Sequence, residues 1–561
     1  MYGFTINKCF RNNLFANRVI SHGDNYCINN MISKFFEDKV FFEDDDCILI
    51  LDGVILNKCD LIIDDDWCHT IKSLYISKGN EFFSVFRGCF SGAVYNKKRD
   101  EWLVFTDQLG QKFIFYYYDG QHFSCSSMIG EIYKTLKQNN IVYNLDDKAP
   151  YMLLSYGYML DNYTLCKNIK KIRPGSYIVL SANGLRECNY YQLNNEPNFT
   201  RSEEETISEI DRLFSQAVTR QYKKDNEYGY KHVCALSGGL DCRMTTFVAN
   251  ELGFKKQINI TFSESDYYDE TLAKRMARDL KHEWIYKSLD NGLWLFDVEK
   301  ITRVTGGNVL YYGLAHSDSL YRYLDFSSLG MVHSGQLGDI VIGSKTKSHK
   351  ERYAFGDGAY SKKYTKYLED AIVNNFPNHE IGCWYTRYLN GANNGLQNIY
   401  NYTETCSPFM DLDFLEFCLS IPSELRYNHK LYRKWVILKH PQAANYVWET
   451  TGAKLNEPII NLLGRSIPVS KMMSKLFLRV MIGLGIKSKD SLASMNPLNK
   501  YISTNKELRD FYQLYFEYSD FFEDVDLKII LEEIKKKGTA IEINQAVSLL
   551  AAIKIFYNKY K

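Results

Sequence analysis

Along residues 47–180 the apolar positions come in short runs broken by turn formers, at 47–51, 90–95, 102–106, 112–118, 122–125 and 176–180. Runs of this length, rich in β-branched and aromatic side chains, predict strands. Many strands with few helices imply sheet-on-sheet or layered α+β packing. The segment 192–202 is polar, contains Pro197 and leads into Ser202-Glu203-Glu204-Glu205, the pattern of a capped helix start. A boundary there divides the chain into a front domain, residues 1–195, and a second domain, residues 196–561. Beyond it the period alternates: strand 232–236, helix 241–252 closed by Gly253, strand 257–262, helix 269–280, strand 283–286. Such alternation predicts a parallel sheet wound with helices. From residue 360 to 561 the pattern is mainly helical, as in 544–560, where Val547, Leu550, Ile553 and Phe556 recur at every third position. There is no internal repeat and no long low-complexity tract.

Composition narrows the function classes. A chain of 561 residues is too long for one ordinary core. Its 68 Lys and Arg almost cancel its 67 Asp and Glu, so no global positive field gathers nucleic acid or an anionic membrane. The 43 Tyr and 33 Phe are read as packing and surface residues. Fourteen cysteines without a Cys-x-x-Cys pair argue against a zinc site and a disulfide-stapled fold, and fit reduced thiols in the cytoplasm. The start, Met1-Tyr2-Gly3-Phe4, has no basic region followed by an apolar stretch, and no window holds about eighteen uninterrupted apolar residues. The nearest approach to a membrane element, 476–486, carries Arg479 and follows Lys471 and Lys475, and is read as a packed helix. The acidic clusters at 43–46 and 64–66 lack the alternation and turn glycine of a calcium loop and are read as solvated loops.

The candidate chemistry lies where the 232–236 strand runs into Ser237-Gly238-Gly239-Leu240-Asp241 and then a helix. Bare backbone N–H groups and a helix N-terminus converge there, a geometry that binds phosphate oxygens. Two glycines let the backbone approach the anion, the Ser237 hydroxyl adds a donor, and Asp241 can hold a magnesium ion. Ser-Gly-Gly alone also fits a tight turn between strand and helix. No Walker Gly-Lys-Ser/Thr follows. A nest without that lysine suits attack at the α-phosphate with release of pyrophosphate, which is adenylation of a carboxylate. A second glycine-bearing turn, Ser334-Gly335-Gln336-Leu337-Gly338-Asp339, offers Asp339 to complete the metal site.

With both turns in view, the sequence resembles the asparagine synthetase and β-lactam synthetase superfamily, with its Ser-Gly-Gly-Leu-Asp-Ser loop and later Ser-Gly-Glu-Gly-x-Asp-Glu segment. Further resembling stretches are Gly88-Cys89-Phe90-Ser91-Gly92-Ala93, Asp107-Gln108-Leu109-Gly110-Gln111-Lys112, Ser407-Pro408-Phe409-Met410-Asp411 and Lys430-Leu431-Tyr432-Arg433. Their collinear order implies an α+β αββα (Ntn-hydrolase-like) front domain of the glutamine amidotransferase kind. An α/β adenine-nucleotide hydrolase-like domain with a helical C-terminal part follows. The resemblance assigns Leu236, Ser237, Gly238, Gly239, Leu240, Asp241, Cys242, Ser334, Gly335 and Gln336 to ATP, and Asp241 and Asp339 to Mg2+. Glu404 and Arg433 are candidates for base and for phosphate or intermediate stabiliser, or equally for a structural ion pair.

The departures from the pattern are specific. Glutamine-using members carry a cysteine nucleophile after Met1, and here that position is Tyr2. A phenol with an ordinary pKa of about 10 is a poor substitute for a thiol near about 8.5, and Cys9 lies too far along to replace it. The glutamine-pocket motif resembles Asp52-Gly53-Val54-Ile55-Leu56-Asn57, with valine where the family has the acid that holds the substrate amine. The family's later aspartate falls at Asp66 or Trp67. In the second domain the loop serine is Cys242, the glutamate after Ser-Gly is Gln336, and Val447-Trp448-Glu449-Thr450-Thr451-Gly452 has no lysine where the family has one, leaving Lys454 to swing in. The resemblance therefore implies a cytoplasmic, ATP-dependent, AMP-forming ligase without glutaminase activity. It would join a small-molecule or peptide carboxylate to ammonia or a substrate amine, with β-lactam and peptide-macrolactam formation and bacterial polysaccharide amidation as family precedents. A homodimer is the candidate assembly. The rival is a catalytically silent protein that keeps the fold and binds nucleotide or a partner.

Overall fold

The computed structural model describes residues 3–10, 19–22, 26–30, 32, 36–369, 375–462, 465–468 and 494–557. Two six-stranded antiparallel sheets face one another in the front part of the chain. One runs in the order Ile169–Lys171, Phe115–Tyr118, Phe123–Ser126, Phe4–Lys8, Tyr26–Asn30, Val19–His22. The other runs Gly184–Asn189, Ser176–Ser181, Glu101–Thr106, Gly88–Asn96, Cys47–Ile55, Val40–Glu43. The side-chain period of two assigns the faces. Ile48 and Ile50 enter the core between the sheets with Phe4, Ile6, Trp102 and Val104, while Leu49 and Leu51 pack outward with Trp67 and Ile71 of the Trp67–Lys78 helix. On the opposite outer face, Phe115 and Tyr117 meet Ile129, Ile132 and Leu136 of the Ile129–Gln138 helix. The layers are therefore α, β, β, α.

The predicted 112–118 strand begins only at Phe115. Before it, the Asp107 carboxylate accepts the N–H groups of Leu109, Gln111 and Lys112, each at 3.0 Å, and holds a turn there. The acidic clusters cap local structure. Asp44 accepts the N–H groups of Asp46 and Cys47 at 2.9 Å, and Asp66 caps the Trp67–Lys78 helix through the His69 N–H at 2.9 Å.

The connector ends in the Glu203–Glu227 helix, whose start is a capping box of Ser202 with Glu205. A five-stranded parallel sheet follows, in the order Glu283–Ser288, Gln257–Ser263, Lys231–Ala235, Leu329–His333, Thr405–Cys406. The first strand in the chain lies centrally; its successors build outward on one side, and the chain then crosses back to the other. The C-terminal part is helical with two short hairpins, Val447–Trp448 with Ala453–Lys454 and Ile459–Leu462 with Arg465–Pro468. The Ala540–Ala552 helix and the turn after it, Ile553–Tyr557, make an apolar stretch long enough to span a membrane, but 67% of it is buried inside the protein, with Val547, Leu550 and Ile553 in the core. That core is shared with the front helices Ile129–Gln138 and Ala149–Tyr156. The apolar segment 476–486 with Lys471, Lys475 and Arg479, and the helix end at residue 560, lie outside the described residues.

Candidate active site

Both glycine turns leave the C-terminal ends of neighbouring strands, Lys231–Ala235 and Leu329–His333, paired Cys234 to His333. The strand order reverses between these two, and the crevice at such a switch point is where open α/β sheets bind ligands. The turns touch closely. A Cβ on Gly335 would lie 2.2 Å from the Cys242 nitrogen, and one on Gly338 would lie 2.7 Å from the Asp241 carboxyl carbon. Between them Leu337 adopts φ +63°, a left-handed conformation costly for a branched side chain.

The approach brings Asp241 and Asp339 together. Asp241 accepts the Asp339 N–H at 3.0 Å and the Tyr432 hydroxyl at 2.9 Å. Burial, and then the charge of Asp339, push the Asp241 carboxyl up to about 8 despite those two bonds. Lys345 Nζ stands 3.9 Å from Asp339 Oδ2. The donor set is all oxygen and short of positive charge, which suits a hard divalent cation. His429 packs on Gly343, where a Cβ would sit 2.7 Å from both the Asp339 carbonyl oxygen and the imidazole. Burial pushes the His429 ring below its ordinary pKa, so it is neutral at pH 7.

The phosphate face carries Asp269 and Arg243, which no motif announced, and Glu449 from the segment without the family's lysine. The Gly238 N–H donates to Asp269 Oδ1 at 2.8 Å, and the Gly239 N–H to Ser237 Oγ at 3.2 Å. Burial, and then Glu449, raise Asp269 to about 7. Glu449 lies against the turn, its N–H 3.3 Å from the Gly238 carbonyl. Behind the turn, fully buried Arg243 donates to the carbonyls of Gly238 at 2.8 Å, Val447 at 2.7 Å, and Ala443 and Tyr446 at 3.3 Å. Its position two residues after Asp241 was the only signal available in the sequence.

The remaining expected site residues divide. Ser334 and Gln336 stay in the second turn: the Ser334 carbonyl accepts from Thr245 Oγ1 at 3.1 Å, and Gln336 Nε2 donates to Asn393 at 3.3 Å. Leu236 and Leu240 are buried beneath the first turn, and burial pushes the Cys242 thiol up to about 12. Arg433 follows Tyr432 on the Lys430–Lys439 helix but donates to the Leu455 carbonyl at 2.6 Å. Lys454 is exposed on the Ala453–Lys454 strand opposite Val447. Glu404 does not join the site. Its carboxylate faces the front domain, sealed with Lys39 Nζ at 2.6 Å and Lys112 Nζ at 3.0 Å, because it precedes the Thr405–Cys406 strand instead of following it.

Asp52 belongs to the same buried cluster, 3.4 Å from Lys112 and 4.0 Å from Lys39. Gly53 has φ +136°, and a Cβ there would meet the Cys89 carbonyl at 2.1 Å. Val54 is sealed between the domains with Phe36, Met331 and Cys406. Tyr2 lies outside the described residues.

Residues 64–191 match the glutamine amidotransferase domain family, and residues 209–374 match the asparagine synthase family. A putative asparagine synthetase (glutamine-hydrolyzing) 2 of Methanocaldococcus jannaschii is 25% identical over 287 residues, covering 46% of this chain and 54% of the relative. Asparagine synthetase (glutamine-hydrolyzing) 3 of Bacillus subtilis is 29% identical over 241 residues, 41% of this chain and 35% of the relative. The chain thus spans about half and about a third of their respective lengths. A solved glutamine phosphoribosylpyrophosphate amidotransferase from B. subtilis, complexed with ADP and GMP, covers 51% of this chain and 59% of its own at 11% identity, with a TM-score of 0.23.

Proposed function

Because the chain belongs to the asparagine synthetase superfamily, we propose that it is an ATP-dependent, AMP-forming ligase that joins a carboxylate to ammonia or a substrate amine. The observation that carries this reading is the meeting of Asp241 and Asp339 across two turns that only glycine allows to touch. In this reading Asp241 and Asp339 hold magnesium, and the 237–242 turn and its helix N-terminus hold phosphate oxygens. The bound nucleotide supplies the pyrophosphate leaving group. Tyr432 fixes the Asp241 carboxylate, and Arg243 fixes the turn from behind. Gln336 is an amide and takes no proton; in this reading the imidazole of His429, packed on Gly343 near Asp339, accepts one from the attacking amine.

The amine is not supplied by the front domain. Val54, closed into the interdomain apolar cluster, and Asp52, held by two lysines, support the absence of glutamine hydrolysis. Added glutamine is expected to yield no glutamate, and Tyr2→Phe to leave synthesis unchanged. The proposed location is the cytoplasm.

A second reading, a silent nucleotide- or partner-binding protein, is favoured by the capture of the Gly238 N–H by Asp269 beside Glu449. The two separate when the protein is incubated with MgATP and a carboxylate panel while AMP and pyrophosphate are followed, with Asp241→Ala as control. AMP formed only by the parent protein supports the ligase; none with any acid, in folded protein, removes it.

A further inference from the structure

The front domain reaches into the second half of the chain at residues 157–159. The Met159 N–H donates to the Asn308 carbonyl at 3.0 Å, the Leu310 N–H to the Gly157 carbonyl at 2.8 Å, and Tyr158 forms an antiparallel bridge with Val309. This pairing places Tyr158 in the wall of a cavity of about 340 Å³ whose other walls include Asp339, Lys345, Arg387 and Tyr388. The cavity is continuous with the carboxylate pair of the active site through Asp339.

Two walls carry unused binding capacity. Tyr158 is only 6% exposed, yet its hydroxyl has no hydrogen-bond partner among the described residues. Its ring lies against Gly391, where a Cβ would come within 2.7 Å of it, so the phenol is held in one position. A buried hydroxyl without a partner is unfavourable until an acceptor reaches it. Arg387, an exposed side chain, lines the same cavity, and its guanidinium has no hydrogen bond or ion pair among the described residues. Asp339, Tyr388, Arg387 and Tyr158 line this one cavity. The volume is that of pockets that enclose whole small molecules, well beyond one carboxyl group.

We propose that this cavity binds the acid substrate, an acid longer than a single amino acid with a second anionic group, and that Arg387 and front-domain Tyr158 hold that remote group while the reacting carboxylate lies at Asp339. Which end reacts rests on the ligase reading; the binding does not. The front domain then serves as a wall of the substrate pocket.

The test is calorimetric titration of the intact protein, without nucleotide, with the linear diacids succinate, glutarate, adipate and suberate, and with hexanoate as the monoacid of matched length. Longer diacids are expected to bind more tightly than succinate, and adipate roughly tenfold more tightly than hexanoate, the scale of one charge-assisted contact. Arg387→Met is expected to remove the preference for a second carboxylate, and Tyr158→Phe to weaken adipate several-fold without lowering the melting temperature. Tightest binding by succinate, no saturable binding of any diacid, or a preference that survives Arg387→Met overturns the proposal. Adding MgATP tests the ligase reading separately: Arg387-dependent diacid binding without AMP formation keeps the pocket and removes the ligase, while AMP formation without Arg387 dependence does the reverse.

Discussion

A methyl group at Gly335 would sit 2.2 Å from the Cys242 nitrogen and 2.4 Å from the Asp241 carbonyl carbon, both backbone atoms that have no side-chain freedom with which to yield. Gly335→Ala is therefore expected to part the two turns and abolish the thermal shift produced by MgATP, while far-UV circular dichroism stays unchanged. A retained shift would mean that the close approach is not needed for the site. His440 poses a different question, of charge. Its Nδ1 is 2.7 Å from Glu251 and its Nε2 is 2.8 Å from Asp211. Burial alone would lower this imidazole, but the hydrogen bonds to the two carboxylates win and raise it to about 9. Since the folded pKa exceeds the unfolded one, the contribution is complete below about pH 6.5 and lost as pH rises through about 9, with a ceiling on the order of 3 kcal/mol. Urea unfolding across that window should show stability falling with pH, and a flatter profile in His440→Gln.

At the scale of elements, the sequence was most readable where local chemistry and period agree. The helices after Gly239 and after Ser202 and the parallel strands beside them lie within a residue or two of their expected limits, because alternating apolar runs, glycine and a capping box all point the same way. The front strand Gly184–Asn189 escaped because its residues are largely polar and take their strand form from their neighbours, and Tyr26–Asn30 because its apolar run is too short to mark a strand alone. Leu329–His333 escaped because its run is short and contains Gly330. Of the expected site, the Asp241–Asp339 pair was legible from two motifs. Asp269 and Arg243 were not, and Glu449 stood out only as part of the segment without the family's lysine: Asp269 and Glu449 reach the turn from other elements, and Arg243, on the helix that follows the turn, finds its partners only in the fold. Arg243 joins the Gly238 carbonyl of the first turn to three carbonyls of the 443–447 segment. Its burial, without a carboxylate bonded to it, lowers it to about 10. Arg243→Met removes four charge-assisted hydrogen bonds, with the Gly238 carbonyl keeping the Glu449 N–H, and is expected to cost at least about 3 kcal/mol, given about 1.5–3 kcal/mol for a hydrogen bond to a charged group. Limited proteolysis should open near residues 443–447 in the variant; cleavage there at the parent rate would show that another contact holds the segment.

For the whole molecule, the decisive feature is the buried cluster that joins the halves. Lys39 and Lys112 offset Glu404 and Asp52, all four with side chains at most 7% exposed. Although burial pushes the Glu404 carboxyl upward, the ammonium groups of Lys112 and Lys39 hold it below its ordinary pKa. Removing one member leaves an uncompensated charge in the interface, a loss of about 3–5 kcal/mol, whereas removing a matched pair restores neutrality. Glu404→Leu is therefore expected to be strongly destabilising, and Lys112→Met with Glu404→Leu less so than the sum of the single changes. This cycle also separates a structural from a catalytic Glu404. A catalytic group would lose AMP formation with the melting temperature intact; an interdomain clamp loses melting temperature while the folded fraction still responds to MgATP. Because the front helices Ile129–Gln138 and Ala149–Tyr156 share one apolar core with the C-terminal helices, the Glu404→Leu protein should still unfold in a single calorimetric transition, only at lower temperature. Two resolved transitions would mean that the cluster alone couples the halves and that the shared core does not.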